Sequence, residues 1–343
     1  MKIGLVGYQG SGKSALFELL TGVKPDASKA HTGQLGVATV PDPRFDGLVA
    51  LFKPKKNSPA RIELFDTPGL SRKDHEANAQ KLGVIREGAA LVHVIGAFAG
   101  CDPLADAASF EDDLVLADLQ VVTNRIARIK KDIAKPRPDR EELHAEVHAL
   151  EPVEAQLSRG ESLLNFEFNE AQEKACKSFS LLSRKKQLLV LNTSDAAQNT
   201  DVIGRLEAKG YRVVSAPIGL ELEVSQLPEE DRAVFAAEMG LGEPSVTKLL
   251  HAIFEVTDLI TFFTTDEKEV RAWLLKRGGT AFDAAGTIHT DLARGFIRAE
   301  IMSVADLLRL GSERELKAAG LHHVVGKEYP LRDGDEIVVR FNV

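Results

Sequence analysis

Short apolar runs alternate with longer amphipathic stretches along much of the chain. The runs that have the length of buried strands are residues 3–6, 62–65, 91–95, 187–191 and 212–215. Continuous apolar runs separated by helical stretches are typical of a parallel sheet covered by helices on both faces. The pattern therefore predicts an α/β fold with a mostly parallel sheet.

A different periodicity interrupts this alternation between residues 110 and 182. Apolar residues recur there at steps of four and three, as in a heptad seam on one long helix, and they are Val115, Leu119, Val122, Ile126, Ile129 and Ile133. The Lys-Pro-Arg-Pro segment at 135–138 ends that helix, because proline cannot continue it. A return helix follows, which Pro152 is expected to kink. The segment predicts an inserted helical coiled-coil hairpin.

The pattern changes again near residue 258. Runs 259–263 and 270–275 have the pattern of a β-hairpin, 282–292 that of a helix, and 297–302 and 336–343 that of further strands. This order predicts a small α+β domain, which we interpret as a β-grasp. The predicted domains are residues 1–109 with 183–257, residues 110–182, and residues 258–343.

The first apolar run leads directly into a glycine-rich segment. Residues 7–14 read Gly-Tyr-Gln-Gly-Ser-Gly-Lys-Ser, the spacing G-x-x-x-x-G-K-[ST], and a helical stretch follows. Such a loop turns backbone N–H groups toward a phosphate chain, and the helix adds the positive end of its dipole. The residues expected to bind the nucleotide here are Gly10, Ser11, Gly12, Lys13, Ser14 and Ala15. Lys13 is expected to reach the β- and γ-phosphates, and Ser14 to bind Mg²⁺.

A second strand-like run ends in Asp66-Thr67-Pro68-Gly69. An aspartate at the end of a strand beside the phosphate-binding strand is placed to hold Mg²⁺, often through water. The backbone N–H of Gly69 is then expected beside the γ-phosphate. We therefore predict Ser14 and Asp66 as metal ligands, and Lys13 and Gly69 as catalytic residues.

The base is expected to bind after the run 187–191, where residues 192–195 read Asn-Thr-Ser-Asp. In GTPases an aspartate at the position of Asp195 accepts two hydrogen bonds from guanine, whereas adenine offers no such pair of donors. Thr193 stands where GTPases carry a lysine that stacks on the purine. An alternative is that the segment only caps the helix that follows. The predicted nucleotide contacts in this region are Asn192, Thr193, Asp195, Ser215 and Ala216.

Composition narrows the class of protein. The 343 residues are 44% hydrophobic and 27% charged, which suits a soluble protein of two or three domains. No apolar run has the length of a membrane span, and Cys101 and Cys176 lack metal-ligand spacing, so we expect free thiols in a reducing cytoplasm. The formal net charge of −8 excludes a general coating of nucleic acid.

One basic stretch remains a candidate for contact with RNA or the ribosome. Its positive residues are Arg125, Arg128, Lys130, Lys131, Lys135, Arg137 and Arg140, and its acids are Asp132 and Asp139. A solvated helix face is the simpler explanation of such a run. Contact with a partner at the tip of a projecting arm is the alternative.

Several strings of residues resemble the YchF branch of the Obg-like ATPases, a family of translation-factor-class P-loop NTPases. Residues 41–44 read PDPR between the two nucleotide motifs, and residues 116–119 read LADL at the start of the helical insertion. The C-terminal strings are the most specific, namely LITFF (259–263), EKEVRAW (267–273), AAGTIHTD (284–291), GFIRAE (295–300) and FNV (341–343). The resemblance implies a nucleotide domain, a coiled-coil insertion and a TGS domain, with ATP hydrolysis and association with ribosomes.

The chain departs from the family pattern around the phosphates. Gly10 stands where the family has an asparagine, which helps hold a potassium ion in related proteins, so potassium stimulation is not expected from this position. Ala30 stands where the family has a magnesium-binding threonine. Thr32 is the nearest hydroxyl, and we predict it as a further metal ligand.

Leu70 follows Gly69 at the position where small GTPases carry a glutamine that orients the attacking water. An apolar side chain cannot hold a water, so intrinsic hydrolysis is expected to be slow, as the hydrophobic substitution in the Obg-like branch also implies. His75 and Glu76 are conceivable replacements, although an exposed histidine is the simpler explanation of His75.

Two functions follow from these features. In the first, the protein is a slow Mg²⁺-dependent NTPase whose nucleotide state orders residues 28–40 and 69–80, and the arm and TGS domain transmit that order to a ribosomal or RNA partner. In the second, it is a nucleotide-sensing adaptor with negligible hydrolysis, whose TGS domain binds the ribosome or RNA. We prefer the first, with ATP favoured over GTP because the family pattern outweighs Asp195, and we expect a cytoplasmic monomer.

Overall fold

The structure, a computed structural model, describes residues 1–136, 138–195 and 199–342, with only the backbone of His75 and Glu76. Its strands are β1 (Lys2–Val6), β2 (Gln34–Thr39), β3 (Lys56–Ser58), β4 (Arg61–Asp66), β5 (Ala90–Ala97), β6 (Gln187–Thr193), β7 (Arg212–Ala216), β8 (Leu259–Thr265), β9 (Glu269–Lys276), β10 (Phe296–Ser303), β11 (His323–Val325) and β12 (Asp335–Phe341). Its helices are α1 (Lys13–Thr21), α2 (Pro43–Phe52), α3 (His75–Ile85), α4 (Pro103–Ile133), α5 (Arg140–Ser158), α6 (Glu170–Cys176), α7 (Thr200–Glu207), α8 (Ile218–Ser225), α9 (Glu229–Glu238), α10 (Ser245–Thr257), α11 (Ala281–Ile288), α12 (Thr290–Arg294), α13 (Val304–Leu310) and α14 (Glu313–Ala318).

The chain divides into two compact units. The first consists of Met1–Gly36 and Glu63–Leu249, and the second of Val37–Ile62 and Leu250–Val343. The sequence prediction placed residues 37–62 in the nucleotide-binding domain, whereas this division groups them with the C-terminal part of the chain.

The first sheet has the strand order β2-β4-β1-β5-β6-β7. Strand β1 pairs in parallel with β4 and β5, and β6 pairs in parallel with β5 and β7. These are the strands that the apolar runs predict, and the α/β fold class is confirmed. Because the carboxyl ends of parallel strands meet at one edge of a sheet, the loops that follow β1, β4 and β6 lie together.

The insertion is a hairpin of the long helices α4 and α5, as the heptad seam predicts. The seam packs into one buried cluster that includes Val122, Ile126, Ile129, Leu150 and Val153. Thr123 contacts Glu154, and Arg125 contacts Glu146, so the two helices run antiparallel. Pro152 lies inside α5, which continues as one helix from Arg140 to Ser158.

Ion pairs within this hairpin neutralise part of its basic stretch. Arg125 donates two hydrogen bonds to Glu146, at 2.7 and 2.8 Å, and Lys130 lies 3.4 Å from Glu151. Arg137 of the same stretch lies outside the described residues. The positive charge that the hairpin presents to a partner is therefore smaller than the sequence alone suggests.

The second sheet has the strand order β11-β10-β12-β8-β9-β3. Strands β8 and β9 form the predicted antiparallel hairpin, β10 pairs antiparallel with β12, and β12 pairs in parallel with β8. Helix α11 packs on the sheet in a core that includes Ile260, Phe262, Ala284, Ala285 and Ile301. The α+β character expected of the C-terminal part is confirmed.

The single helix predicted for residues 282–292 is wrong, because the chain forms α11 and α12 there. His289 separates them with an extended backbone, at φ −163° and ψ 142°. The His289 ring nitrogen Nδ1 accepts a hydrogen bond from the Asp291 N–H at 3.1 Å and so caps α12. A side chain that caps a new helix start offers the backbone an alternative to continuing the first helix.

Strand β3 extends the second sheet and was not predicted from the sequence. It pairs in parallel with β9, and Ser58 Oγ donates to Glu269 at 2.5 Å. Arg44, at the start of α2, forms ion pairs with Asp42 at 2.8 Å and with Asp333 at 2.7 Å. These contacts explain why residues 37–62 cluster with the C-terminal part.

Glu336 of β12 is a buried carboxyl group in the second unit. The side chain is 0% exposed, Oε1 accepts a hydrogen bond from Thr265 Oγ1 at 2.8 Å, and Oε2 has no partner among the described residues. Burial raises the pKa of Glu336 to about 7, although the Thr265 hydrogen bond opposes this rise. Of the nearby charges, Glu313 and Glu300 raise the pKa further and Lys317 lowers it.

We expect the replacement Glu336→Gln to stabilise the protein at about pH 8 but not at about pH 5. The folded protein binds the Glu336 proton more tightly than the unfolded chain, so wild-type stability is lost as pH rises toward 7 and above. The variant does not titrate, so its free energy of unfolding relative to wild type is expected to rise across this range by roughly 2–3 kcal/mol. Urea unfolding at the two pH values measures the difference. A difference that does not change with pH contradicts the prediction.

Candidate nucleotide-binding site

The loop after β1 has the backbone conformation that a phosphate-binding loop requires. The φ angle is +79° at Gly10 and +101° at Gly12, a region that favours glycine. A Cβ at Gly12 would lie 2.2 Å from Asn192 Nδ2, whereas a Cβ at Gly10 would meet no atom within 4 Å. The backbone at Gly12 therefore packs against the Asn192 side chain, whereas the space beside Gly10 is open to a ligand. Helix α1 begins at Lys13, so its free N–H groups face the same region.

Asn192, at the end of β6, supports this loop from below. Its side-chain nitrogen donates to the Ser11 carbonyl oxygen at 3.0 Å in a buried hydrogen bond. The sheet register places Asn192 opposite Gly96 of β5 and Ala216 of β7. The structure thus brings Asn192 to the phosphate-binding loop, and its contact with a base stays a prediction.

Lys13 is the buried cation of the site. Its side chain is 6% exposed, and Nζ donates to the Tyr8 carbonyl oxygen at 2.9 Å. Burial lowers the pKa of Lys13 to about 8, Arg72 and Lys81 lower it further, and Asp66 raises it. A desolvated ammonium group beside other cations is stabilised by an anionic ligand, so this geometry suits the phosphates of a nucleotide.

Ser14 and Asp66 meet at the carboxyl ends of β1 and β4. Ser14 Oγ donates to Asp66 Oδ2 at 2.7 Å, and Asp66 Oδ1 is buried without a partner among the described residues. Burial raises the pKa of Asp66, while the Ser14 hydrogen bond and Lys13 lower it. A hydroxyl and a carboxylate oxygen that lacks a partner are the oxygen donors that Mg²⁺ prefers. The residues present therefore fit a magnesium ion.

Thr32, predicted as a further metal ligand, lies on the loop before β2 and not with Ser14 and Asp66 in the lining of the cavity. That loop contains a short 3₁₀ helix, Ala27–Lys29. Ala30 and His31 line the cavity above the phosphate-binding loop, whereas Thr32 is not among the described residues that line it. No described contact joins Thr32 to Ser14, and the role of Thr32 as a metal ligand stays a prediction.

Gly69 and Leu70 both lie beside the phosphate-binding loop, but Gly69 faces the ligand cavity and the Leu70 side chain faces the core. A Cβ at Gly69 would be 2.9 Å from Lys13 Nζ, so the Gly69 backbone borders the buried ammonium group. Leu70 is 0% exposed, and its carbonyl oxygen accepts a hydrogen bond from the Gln9 N–H at 2.9 Å. The Leu70 side chain packs in the core and cannot orient a water molecule in the site.

A cavity of about 430 Å³ opens above these groups. The phosphate-binding loop, the segment 66–69, the loop before β2 and Lys81 of α3 line it. Sequence reasoning did not single out Gln9, His31 or Lys81 as site residues. Gln9 lies inside the glycine-rich motif at a position where any residue is allowed, so the motif does not predict that Gln9 lines the site. The side chains of His75 and Glu76, considered above as replacements for the missing glutamine, lie outside the described residues.

The predicted base-binding residues lie at the same edge of the first sheet. Thr193 Oγ1 donates to the Asp195 carbonyl oxygen at 2.7 Å, and Ser194 Oγ lies 3.5 Å from Asp195 Oδ2. Ser215 of β7 pairs with Leu191, one position before Asn192. Asp195 is exposed at the end of the described segment. This placement is compatible with base recognition, which stays a prediction for each of these residues.

A parallel sheet with a phosphate-binding loop after its first strand, a buried lysine at a helix start and a Ser–Asp pair suited to Mg²⁺ defines the class of P-loop nucleotide-binding proteins. Residues 2–125 match a family model described as "50S ribosome-binding GTPase". Residues 259–342 match the model of the YchF GTPase C-terminal region, described as "Protein of unknown function (DUF933)".

Curated relatives match over nearly their full length. The chain is 32% identical to the ribosome-binding ATPase YchF of Haemophilus influenzae, covering 100% of this chain and 99% of the relative. It is 33% identical to the protein of that name from Bacillus subtilis, covering 99% of each. Obg-like ATPase 1 of Oryza sativa subsp. japonica is 31% identical, over 100% of this chain and 92% of the relative. The chain belongs to the YchF/Obg-like ATPase family, and the resemblance drawn from the motif strings is confirmed.

The fold agrees with a solved structure of that family. The Schizosaccharomyces pombe YchF GTPase superposes with a TM-score of 0.82 and 23% sequence identity, over 99% of this chain and 97% of the other. Within the described residues, no helix has both the length and the apolar character needed to span a membrane.

Proposed function

We propose that the protein is a slow Mg²⁺-dependent nucleoside triphosphatase, with ATP favoured over GTP, that acts as a nucleotide-state switch on ribosomes. The observation that carries this proposal is the convergence of Lys13, Ser14, Asp66 and Gly69 on one open cavity. These groups are the parts with which P-loop NTPases hold and cleave a triphosphate.

Each group has a defined task in this proposal. Lys13 binds the β- and γ-phosphates, and the Gly69 N–H binds a γ-phosphate oxygen. Ser14 and Asp66 hold Mg²⁺, which neutralises phosphate charge when bound. When the γ-phosphate leaves, the Gly69 segment loses its contact and relaxes. This order–disorder change is the switch.

Slow turnover follows from Leu70. Its side chain lies in the core, so the residue that orients the attacking water in small GTPases has no counterpart at this position. A ribosomal partner that orders the cavity would increase the rate.

The preference for ATP is supported by the family, because the curated relatives are named ATPases. If Asp195 does not bind guanine, Asp195→Ala is expected to leave the affinity for ATP within about twofold of wild type. If it does, loss of the charge-assisted hydrogen bonds selectively weakens GTP by about 2 kcal/mol or more. Calorimetric titration with both nucleotides measures the two affinities.

Asp201→Ala is the matched control for that substitution, since it removes an exposed carboxylate from the nearby helix α7. A loss of GTP affinity in the Asp195 variant, with ATP affinity and the control unchanged, reverses the assignment to ATP.

Association with ribosomes is supported by the relatives, which are named ribosome-binding ATPases. We assign the contact to the helical hairpin and to the C-terminal part, interpreted as a TGS domain at residues 258–343. On the hairpin, Arg128, Lys131 and Lys135 are exposed. We further propose that the protein is a cytoplasmic monomer.

Co-sedimentation of the full-length protein with ribosomes tests the switch. We expect more protein in the ribosome pellet with a non-hydrolysable ATP analogue than with ADP, and loss of that difference when Arg128 and Lys131 are both replaced by glutamate. Lys55→Glu, an exposed charge reversal on the second unit, serves as the control. Equal pelleting in both nucleotide states contradicts the proposed switch.

A second candidate is a nucleotide-sensing adaptor with negligible hydrolysis. Two observations favour it, namely Leu70 in the core and Ala30 in the cavity wall, where the family has a magnesium-binding threonine. It predicts tight triphosphate binding and ribosome association without phosphate release.

A further inference from the structure

The cavity contains a lysine that belongs to neither nucleotide motif. Lys81 lies on α3, and its Nζ donates to the Gly69 carbonyl oxygen at 3.0 Å. It is half-buried and lines the same cavity as Lys13 and Asp66. Since Lys13 Nζ also borders Gly69, two ammonium groups approach the residue that is expected beside the γ-phosphate.

Positive charge is concentrated at this end of the cavity. Burial lowers the pKa of Lys13, the Asp66 carboxylate opposes that decrease, and Arg72 and Lys81 add to it. Arg72 is paired with Asp106 at 2.6 Å, whereas the hydrogen-bond partner of Lys81 among the described residues is the uncharged Gly69 carbonyl oxygen. Two neighbouring ammonium groups repel each other in the absence of ligand, and a polyanion relieves that repulsion.

Hydrogen bonds attach the start of α3 to the segment that precedes it. Asn78 is 1% exposed, its Oδ1 accepts from the Ser71 N–H at 2.8 Å, and its Nδ2 donates to the Ser71 carbonyl oxygen at 2.9 Å. Asp74 caps the helix by accepting from the Ala77 N–H at 3.0 Å. Lys81 follows Asn78 by three positions and therefore lies on the same face of the helix.

We propose that Lys81 is a built-in cation that contacts the γ-phosphate of the bound triphosphate and stabilises the charge that develops during its hydrolysis. This inference rests on the proposed function. In the reaction a water oxygen bonds to the γ-phosphorus, and the bond from that phosphorus to the β–γ bridging oxygen breaks. The nucleoside diphosphate keeps the electron pair of that bond. One proton of the water stays on the oxygen that attacks, and the other passes to another oxygen of the phosphate that is released.

Lys81 contributes charge to this reaction and transfers no proton. Other NTPases supply the same charge with an arginine from the chain or from a partner. Here Gly10, which lines the same cavity, has no side chain with which to hold a monovalent cation. The lysine of α3 takes that task, so hydrolysis does not require potassium.

Lys81→Met in the full-length protein tests this role, because methionine keeps the length of the side chain and removes its charge. We expect affinity for a non-hydrolysable ATP analogue to fall about tenfold or more, with ADP affinity within about twofold of wild type. Single-turnover ATP hydrolysis is expected to slow by about 100-fold or more, since an arginine in this role contributes about 10³–10⁵. Lys81→Arg is expected to retain most of the rate.

Lys73→Met is the control, because it removes an exposed positive charge from the same segment outside the cavity. Wild type is expected to hydrolyse ATP equally fast in sodium and in potassium buffers. A Lys81→Met variant with an unchanged ratio of analogue to ADP affinity overturns the proposal, and so does potassium-stimulated hydrolysis by wild type. If wild type binds ATP but releases no phosphate, the proposed hydrolysis fails, and the affinity ratio alone decides the role of Lys81.

Discussion

Replacing Lys13 with alanine is expected to abolish measurable binding of nucleoside triphosphate while the fold remains intact. Among the described residues, Lys13 Nζ donates to the Tyr8 carbonyl oxygen of the phosphate-binding loop, and burial lowers the pKa of Lys13. Burial of the Lys13 ammonium group is therefore unfavourable in the absence of ligand. The negative charge of bound phosphates offsets this unfavourable free energy. Loss of two charge-assisted contacts, at about 1.5–3 kcal/mol each, corresponds to an affinity decrease of at least about 100-fold.

Calorimetric titration with ATP and GTP measures this loss, and thermal unfolding of the same sample checks the fold. Lys73→Ala removes an exposed lysine outside the cavity and is expected to bind as wild type does. Unchanged triphosphate affinity in a folded Lys13→Ala variant contradicts the assignment of this cavity as the nucleotide-binding site.

The largest stability effect is expected at Asp118, which joins α4 to the end of α3 and to the segment that precedes β6. Asp118 is 0% exposed and accepts hydrogen bonds from Arg86 at 2.6 Å, from the Leu182 N–H at 3.0 Å, and from Ser183 N and Oγ at 2.8 Å each. Asp118→Ala leaves Arg86 and two backbone N–H groups without this partner. We expect a loss of about 3–5 kcal/mol in the free energy of unfolding.

Urea unfolding measures that loss, and Asp112→Ala provides the control. Asp112 is an exposed aspartate on the same helix, so its replacement is expected to change stability by less than about 0.5 kcal/mol. The Arg86→Ala, Asp118→Ala double variant is expected to lose less than the sum of the single losses, because the first substitution already removes the ion pair. Strictly additive losses contradict direct coupling of the two side chains.

The parts of the structure that the sequence predicts are those in which local pattern and packing agree. The heptad seam of α4 predicts a hairpin because its buried residues must face a second helix. The spacing of residues 7–14 predicts the phosphate-binding loop, because left-handed glycines and a lysine at a helix start fit few other structures.

Elements that depend on distant partners were not predicted. Strand β3 is three residues long, and its pairing with β9 crosses more than 200 positions of sequence, as the contact of Ser58 with Glu269 at a separation of 211 illustrates. Lys81 lines the cavity from α3, whose Asn78 is hydrogen-bonded to Ser71. No local pattern encodes such placements, since they follow from packing after the chain has folded.

We propose that this protein cleaves a nucleoside triphosphate slowly and that its ribosomal partner controls the rate. Multiple-turnover phosphate release from ATP and from GTP, each with and without ribosomes, tests it most directly. We expect slow Mg²⁺-dependent release from ATP, faster release with ribosomes, and none above background in the Lys13→Ala variant. Phosphate release that never exceeds the Lys13→Ala background, with either nucleotide and with or without ribosomes, contradicts the account.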